Sequence, residues 1–305
     1  MLLTDKLFIF GRKAESPRIG VMSVISYRYD LVQSVDDVDI EFWETVCGPH
    51  NNAYLDLRFL RAVEKSFAKE ASFWYLIIRN EVGRPIACTC FTKYLVDSVL
   101  MTPRVIQNGI AVVRKLWPSF LKYNILICGI PVSTCHHQLA VAEDADMSRV
   151  LVTLNAVAVK LARESGCDLI SFKEFPPEVA THMDALKGHG FLWARSVVAY
   201  SLKGRFSSFD EYYNSRSKQR RAKIRKTMQK LERAGLTCEE RLGRDGIDDL
   251  FTDDVHRLYM NVLDRAQVKF ETIPIEFFQE LARQLPDESC FMLIRKEERI
   301  VGFCC

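Results

Sequence analysis

The sequence predicts an α/β chain of two units, each a mixed central sheet flanked by helices, with the second unit cut short. Three observations carry this. A chain of 305 residues with 48% apolar content can fill two cores. Between residues 124 and 202 the pattern runs strand, helix, strand, helix, strand, which implies a crossover arrangement around a largely buried sheet. A module of two amphipathic helices followed by a hairpin also occurs twice.

The elements follow in order. A strand is expected around Arg18–Tyr29, then helices over Asp36–Val46 and Leu55–Phe67. The second places Leu57, Leu60, Val63 and Phe67 on one face. "SFWYLIIRNEVGRPIACTCF" reads as strand Phe73–Arg79, a turn at Val82–Arg84 and strand Pro85–Phe91. Thr102–Lys122 reads as a crossover with short helices. "NILICGIPV", Asn124–Val132, is the apolar run of a strand buried on both faces. From Ser148, the residues Leu151, Leu154, Val157, Ala158 and Leu161 repeat at helical spacing as far as Gly166. Strand Cys167–Phe172, helix Pro177–Leu186 and strand Phe191–Leu202 complete the first unit. Then come a basic helix, a strand over Leu236–Arg241, helices over Ile247–Arg265 and Pro274–Leu285, and a closing hairpin, "CFMLIRKEERIVGFCC".

That closing hairpin aligns with the first one. Tyr75-Leu76-Ile77-Ile78-Arg79 and Ile86–Cys90 match Phe291-Met292-Leu293-Ile294-Arg295 and Val301–Cys305, with one gap in the turn. A repeat period of about 215 residues suggests two copies of one fold, since solenoid periods run ~20–50 residues. An apolar strand ending on Cys304–Cys305 would leave a bare sheet edge, so the second unit is expected to be incomplete in this chain. The segments are 1–35 (an N-terminal extension or first strands), 36–204 (first unit), 205–235 (basic helical connector) and 236–305 (start of the second unit).

Charge is concentrated. Residues 216–233 hold nine Lys or Arg against one acid, Glu232, while the rest of the chain holds 33 basic and 38 acidic residues. A local excess argues for a site rather than a general nucleic-acid coat. The ten cysteines form no CxxC, and several lie in apolar runs, which points to a reducing cytoplasm without disulfides or a zinc site. The N-terminal apolar run Leu7–Phe10 is too brief for a signal peptide, and no segment approaches the ~20 apolar residues of a membrane span. The expected chain is cytoplasmic, with no membrane insertion. GxSxG, Walker and dinucleotide fingerprints are absent.

This succession of elements resembles the GNAT acyltransferase fold over about residues 36–202 and again, in part, over 236–305. The intervening "SRSKQRRAKIRKTMQKLERAG", Ser215–Gly235, is similar to the stretch that opens the second domain of double-GNAT families. Those are the Fem-type peptidoglycan-bridge transferases and related acyltransferases of envelope and polysaccharide gene clusters. The resemblance implies tandem GNAT-like domains and an acyl-CoA, or an aminoacyl carrier, held where the fourth and fifth strands splay apart. Its arm would pair with the backbone at Ile130, Val132 and Ser133, and its pyrophosphate would rest before Ser148. Here the sequence departs from the family pattern. "CHHQLAVAEDADMSR" has no glycine and three acids, so the first copy is expected to act as scaffold or acceptor platform, with the donor site on the second.

The implied activity moves an acyl group to an amine or hydroxyl on a small-molecule, glycan-linked or lipid-linked anionic acceptor. A Fem-type enzyme using aminoacyl-tRNA and a non-catalytic scaffold binding an anionic polymer remain as alternatives. Glu174 stands at the carboxyl end of a central strand, where a carboxylate can serve as general base; an ion pair with Lys173 is the simpler role. Lys173 and His136 are candidate substrate contacts, although adjacent histidines on a loop are commonly surface residues. Lys218, Arg221 and Arg225 complete the set, on a helix with an apolar seam of Ile224, Met228 and Leu231. A phosphate-bearing carrier, a nucleic acid and a solvated arm all stay open for that helix. Glu143, Asp144 and Asp146 lack the Gly-spaced loop of a Ca²⁺ site, so no metal is expected.

Overall fold

A computed structural model describes residues 2–4, 7–12, 27–102, 104–132, 136–175, 177–195, 199–201, 206–266 and 272–305. The first unit is built on a mixed sheet. Its strands are β1 (Leu2–Thr4), β2 (Leu7–Arg12) and β3 (Arg28–Val32), then, after helices α1 (Ile40–Cys47) and α2 (Leu57–Phe67), β4 (Ala71–Arg79) and β5 (Pro85–Asp97). Helix α3 (Arg104–Val113) leads to β6 (Lys122–Cys128) and β7 (Leu139–Val141). Helix α4 (Met147–Glu164), β8 (Leu169–Phe175), α5 (Pro177–Met183), β9 (Phe191–Arg195) and β10 (Ala199–Ser201) follow.

The strand order is β3-β4-β5-β6-β8-β2-β9, with β7 also on β5, while β1 and β10 form a separate pair. Only β6 and β8 run parallel, joined by the crossover helix α4; the other pairs are antiparallel. The apolar run Leu7–Phe10, brief as it is, supplies an interior strand of this sheet. Of the strand expected over Arg18–Tyr29, residues 18–26 lie outside the described set, and β3 begins at Arg28.

Side chains explain the layering. Along β4, Phe73, Tyr75 and Ile77 face one core with α1 and α2, while Trp74, Leu76 and Ile78 face another with α4 and α5. Strand residues alternate faces, so only a sheet covered on both sides accepts the unbroken run FWYLII. Short acidic or polar side chains start the helices. Asp39 caps α1 through the Phe42 amide, Asp56 caps α2 through Arg58, and Asp146 caps α4 through Ser148 and Arg149.

After α6 (Phe209–Asn214) and the basic α7 (Lys218–Arg233), the order strand, helices, strand, strand recurs. Its members are β11 (Leu236–Leu242), α8 (Ile247–Leu250), α9 (Asp253–Arg265), α10 (Ile275–Gln284), β12 (Cys290–Lys296) and β13 (Arg299–Cys304). The sheet order β11-β12-β13 matches β3-β4-β5. Even a diagonal ion pair repeats. Arg79 binds Asp30, which stands opposite Ile77, and Arg295 binds Glu239, which stands opposite Leu293. The two halves meet helix to helix, with α2 against α10 and Phe277 edge-on to Phe59 and Phe67.

One expected helix is two. The periodicity over Ile247–Arg265 suggests a single helix, yet the chain breaks at Phe251, between α8 and α9. Phe251 is buried in the core, stacked on Phe278 at 4.6 Å and edge-on to Phe303, and that packing outweighs helical continuity. Two strand ends also move: β6 stops at Cys128 rather than Val132, and β8 runs on to Phe175 rather than stopping at Phe172.

Candidate functional site

The carboxyl ends of β6 and β8 are where the sheet opens. Strand β5 pairs along one edge with β6 (Phe91–Asp97) and then with β7 (Ala87–Thr89), so the chain must leave the sheet between β6 and β7. The Gly129 amide still bonds the Cys90 carbonyl at 2.8 Å, and there the segment turns out. Gly129 has φ +123°, and a Cβ on it would lie 2.3 Å from Gln138 Oε1, so a side chain fits neither the backbone nor the space.

Buried polar groups hold the departing backbone. Thr92 Oγ1 donates to the Gly129 carbonyl at 2.7 Å, and the Ile130 amide donates to Gln138 Oε1 at 2.5 Å. Lys173 Nζ donates to the Pro131 carbonyl at 3.2 Å, and Thr89 Oγ1 to the Gln138 carbonyl at 2.6 Å. Each satisfies a group that the sheet no longer serves. On the other lip, β8 carries a bulge. Leu7 pairs with Phe175 and Ile9 with Phe172, so Lys173 and Glu174 together face the single residue Phe8. Glu174 sits at φ +63°, a left-handed conformation that a non-glycine residue adopts only under constraint. Both Lys173 and Glu174 are buried.

The candidates from the sequence are therefore brought together in part. Ile130 is fully buried, with its amide engaged by Gln138. Ser133 lies outside the described residues. Val132, His136 and His137 line a cavity of about 660 Å³ that the 50–55 segment and Phe277 of α10 close from the other side. His136 is exposed, its ring 6.0 Å from Tyr54; His137 stacks on Phe175 at 5.5 Å, and its carbonyl accepts from Asn52 Nδ2. The thiols nearby are poor nucleophiles, because burial pushes Cys128 up to about 12 and Cys90 higher still.

Lys218, Arg221 and Arg225 lie elsewhere, on α7, which leans on β11. Ser217 caps this helix through the Arg220 amide. Arg221 donates to the carbonyls of Asn214 and Arg216, and Arg225 to the Tyr213 hydroxyl, so both are tied to the turn that precedes them. The apolar seam packs only lightly: Ile224 and Leu231 are half-buried and Met228 is exposed. Away from that seam, Lys223, Lys226, Lys230 and Arg233 follow one another at three- and four-residue steps along about 15 Å of helix. All four are exposed, and among the described residues none is ion-paired. Composition marks the helix as basic; its periodicity separates this row from Lys218, Arg221 and Arg225, which stand three and four residues apart on another face.

A mixed sheet flanked by helices, opening where its two parallel strands part, fits an α/β acyltransferase fold. More narrowly, residues 108–305 match the FemAB-like family, described as peptidoglycan biosynthesis/recognition, and the chain belongs to that family, a branch of the GNAT-like acyltransferase superfamily. The chain is also similar to two proteins from Mycobacterium tuberculosis, of strains CDC 1551 / Oshkosh and ATCC 25618 / H37Rv, each named "Putative 8-amino-7-oxononanoate synthase 2". Identity is 24% over 249 residues, which is 80% of this chain and 31% of each relative. The chain thus spans about a third of the length of the curated relatives it matches. Among the described residues no helix is long and apolar enough to cross a membrane, and no group of three or more His, Cys, Asp or Glu residues is placed to hold a metal ion.

Proposed function

We propose that this chain forms part of a transferase of cell-envelope biosynthesis. It would move an acyl or aminoacyl group from an activated carrier to an amine or hydroxyl of a peptidoglycan-type acceptor. The observation that supports this most is the buried Lys173–Glu174 bulge at the parting of β6 and β8, inside the region matched by the FemAB-like family. Acyl transfer needs a base for the proton of the acceptor amine and positive charge near the developing oxyanion. In this reading the amine attacks the donor carbonyl, a C–N bond forms, and the thioester or ester bond breaks. Glu174 takes the amine proton, and Lys173 faces the oxyanion.

Under the same proposal the two units divide the work. The Ile130 amide and the Pro131 carbonyl are already bonded to Gln138 and Lys173, which leaves little free backbone for a carrier arm on the first unit. The first unit then presents the acceptor, and the donor belongs to the second, in a tandem arrangement supported by the repeated element order. Row Lys223–Arg233 takes the phosphates of the carrier, either acyl-CoA or aminoacyl-tRNA.

The test uses the full-length protein with a radiolabelled acyl-CoA or aminoacyl-tRNA donor and a muramyl-pentapeptide acceptor. Transfer from one of the two donors is expected, and Glu174→Gln should lower kcat by about 10²-fold at unchanged melting temperature. Transfer at the full rate by the variant removes Glu174 from the mechanism. No transfer from either donor removes the reading itself.

A further inference from the structure

Helix α3 is amphipathic and faces the wrong way for a core helix. Among its described residues the half-buried ones are Gln107, Ile110 and, just past its end, Arg114, so two of the three groups turned inward are polar. Arg114 makes two 2.7 Å bonds to Asp97 and a third to the Phe120 carbonyl, and Gln107 bonds the Thr102 carbonyl. Its apolar side is turned out. Val105, Ile106, Val112 and Val113 are exposed and, with Leu116 and Trp117 in the turn that follows, form one continuous face. Leu116 is 93% and Val105 82% exposed. A contiguous apolar face of this kind marks an interaction site rather than ordinary surface. The Trp117 indole N–H is satisfied locally by Ser119 Oγ, so its ring lies open without a polar cost. Leu95 and Tyr123 extend the apolar surface into a neighbouring groove of about 680 Å³.

Charge identifies the occupant. Between Asp97 and Glu143 the sequence contains no carboxylate, and although Arg114 is spent on Asp97, Lys115 and the half-buried Lys122 leave the segment a net positive charge. Lys115 is exposed on the shoulder of the apolar face. An apolar helix face carrying an aromatic at its end, an exposed ammonium on its shoulder and no carboxylate in its own segment suits the interface of an anionic bilayer, where side chains sink among acyl chains and ammonium groups meet phosphates. A second copy of the chain is the weaker fit. One helix about 10 Å wide and about 20 Å long falls short of the ~800 Å² per partner that a stable dimer buries.

We infer that α3 and the Leu116–Trp117 turn dock this protein on an anionic phospholipid surface, as a peripheral contact without a membrane span. The placement suits a working site. Helix α3 joins the end of β5 to the start of β6, and β6 runs from there toward the Lys173–Glu174 bulge. The opening lies one seven-residue strand, about 20 Å, from the end of β6 that adjoins the docked turn.

The experiment is co-sedimentation of the full chain with vesicles of phosphatidylcholine alone or mixed equally with phosphatidylglycerol. Wild-type protein should pellet with the mixed vesicles and remain in solution with phosphatidylcholine alone. Its tryptophan emission should shift to the blue, and Trp117→Phe should remove that shift, since Trp43 and Trp74 are buried and Trp193 half-buried. Val112→Asp with Leu116→Asp should weaken pelleting by about tenfold or more. Both side chains are exposed, so the melting temperature should hold. Lys115→Gln should weaken binding less, and only at low salt. Wild-type protein left in solution with the mixed vesicles overturns the inference, as does equal pelleting of the Asp variant. Light scattering that shows a dimer lost in the Asp variant would assign the face to a second copy instead.

Discussion

The two three-stranded segments, β3-β4-β5 and β11-β12-β13, share an order, a hairpin and a diagonal ion pair, yet they are buried differently. Six consecutive residues of β4, Phe73–Ile78, are buried, whereas in β12 only Phe291 and Leu293 are, with Met292 between them and Ile294 after them half-exposed. The residues are nearly the same; the layers are not. Helices α4 and α5 cover the second face of β4, and no described element plays that part for β12. Similar strands therefore differ in depth because of what the chain lays over them, and hydropathy alone does not carry that information.

The strongest way to break the comparison is to shorten matched residues. Leu76 and Met292 align, but Leu76 is fully buried and Met292 is not. Leu76→Ala should cost about 2–5 kcal/mol, as cavity-forming core substitutions do, and Met292→Ala less than about 1 kcal/mol. Chemical denaturation of both variants measures the difference. Equal losses would mean that a further layer covers β12 in the working protein.

Much of this was legible because apolar spacing reports burial. Helices α2 and α4, strands β4 and β5 and the repeat all follow from it. Other features depend on partners distant in sequence. The four apolar residues Leu7–Phe10 say nothing of their place between β8 and β9, some 160 residues away at the nearer partner. Phe251 breaks a helix because of aromatic neighbours that only the fold assembles. At the site, the strand-end position drew attention to Lys173 and Glu174, but a bulge is a register event and leaves no mark in composition. Helix α3 is the sharpest case. Over Thr102–Lys122 the sequence reads only as a crossover with short helices, and spacing alone says nothing of which face of such a helix meets solvent.

The repeated ion pair sharpens the comparison by a smaller amount. Hydrogen bonds from Arg295 and Arg241 hold the Glu239 carboxyl below the usual range. A carboxylate with a lowered folded value adds stability above its unfolded value of about 4.3, and that stability fades as pH falls through the folded value. Glu239→Gln should therefore lower the melting temperature at pH 7, by less than Leu76→Ala does. The gap between variant and wild type should close below about pH 4. A gap that persists in acid would assign the effect to packing of the side chain.

The smallest expected effect lies in the hairpin turns. The first turn places Gly83 at φ +83°, with its amide bonded to the Asn80 carbonyl at 3.0 Å and the Asn80 side chain accepting from Val82 and Arg84. The second turn asks the same left-handed conformation of Glu297, at φ +54°. A β-carbon there costs about 1–2 kcal/mol, while glycine would return about 0.4–1 kcal/mol through the greater freedom of the unfolded chain. Glu297→Gly should thus stabilise the protein by about 0.5 kcal/mol net, visible as a small rise in the denaturation midpoint. Gly83→Glu should move the midpoint the other way, because the added β-carbon meets a strained backbone though no neighbouring atom. If Glu297→Gly destabilises instead, the side chain of Glu297 contributes contacts that the turn geometry alone does not show, and the two hairpins are less alike than their strands.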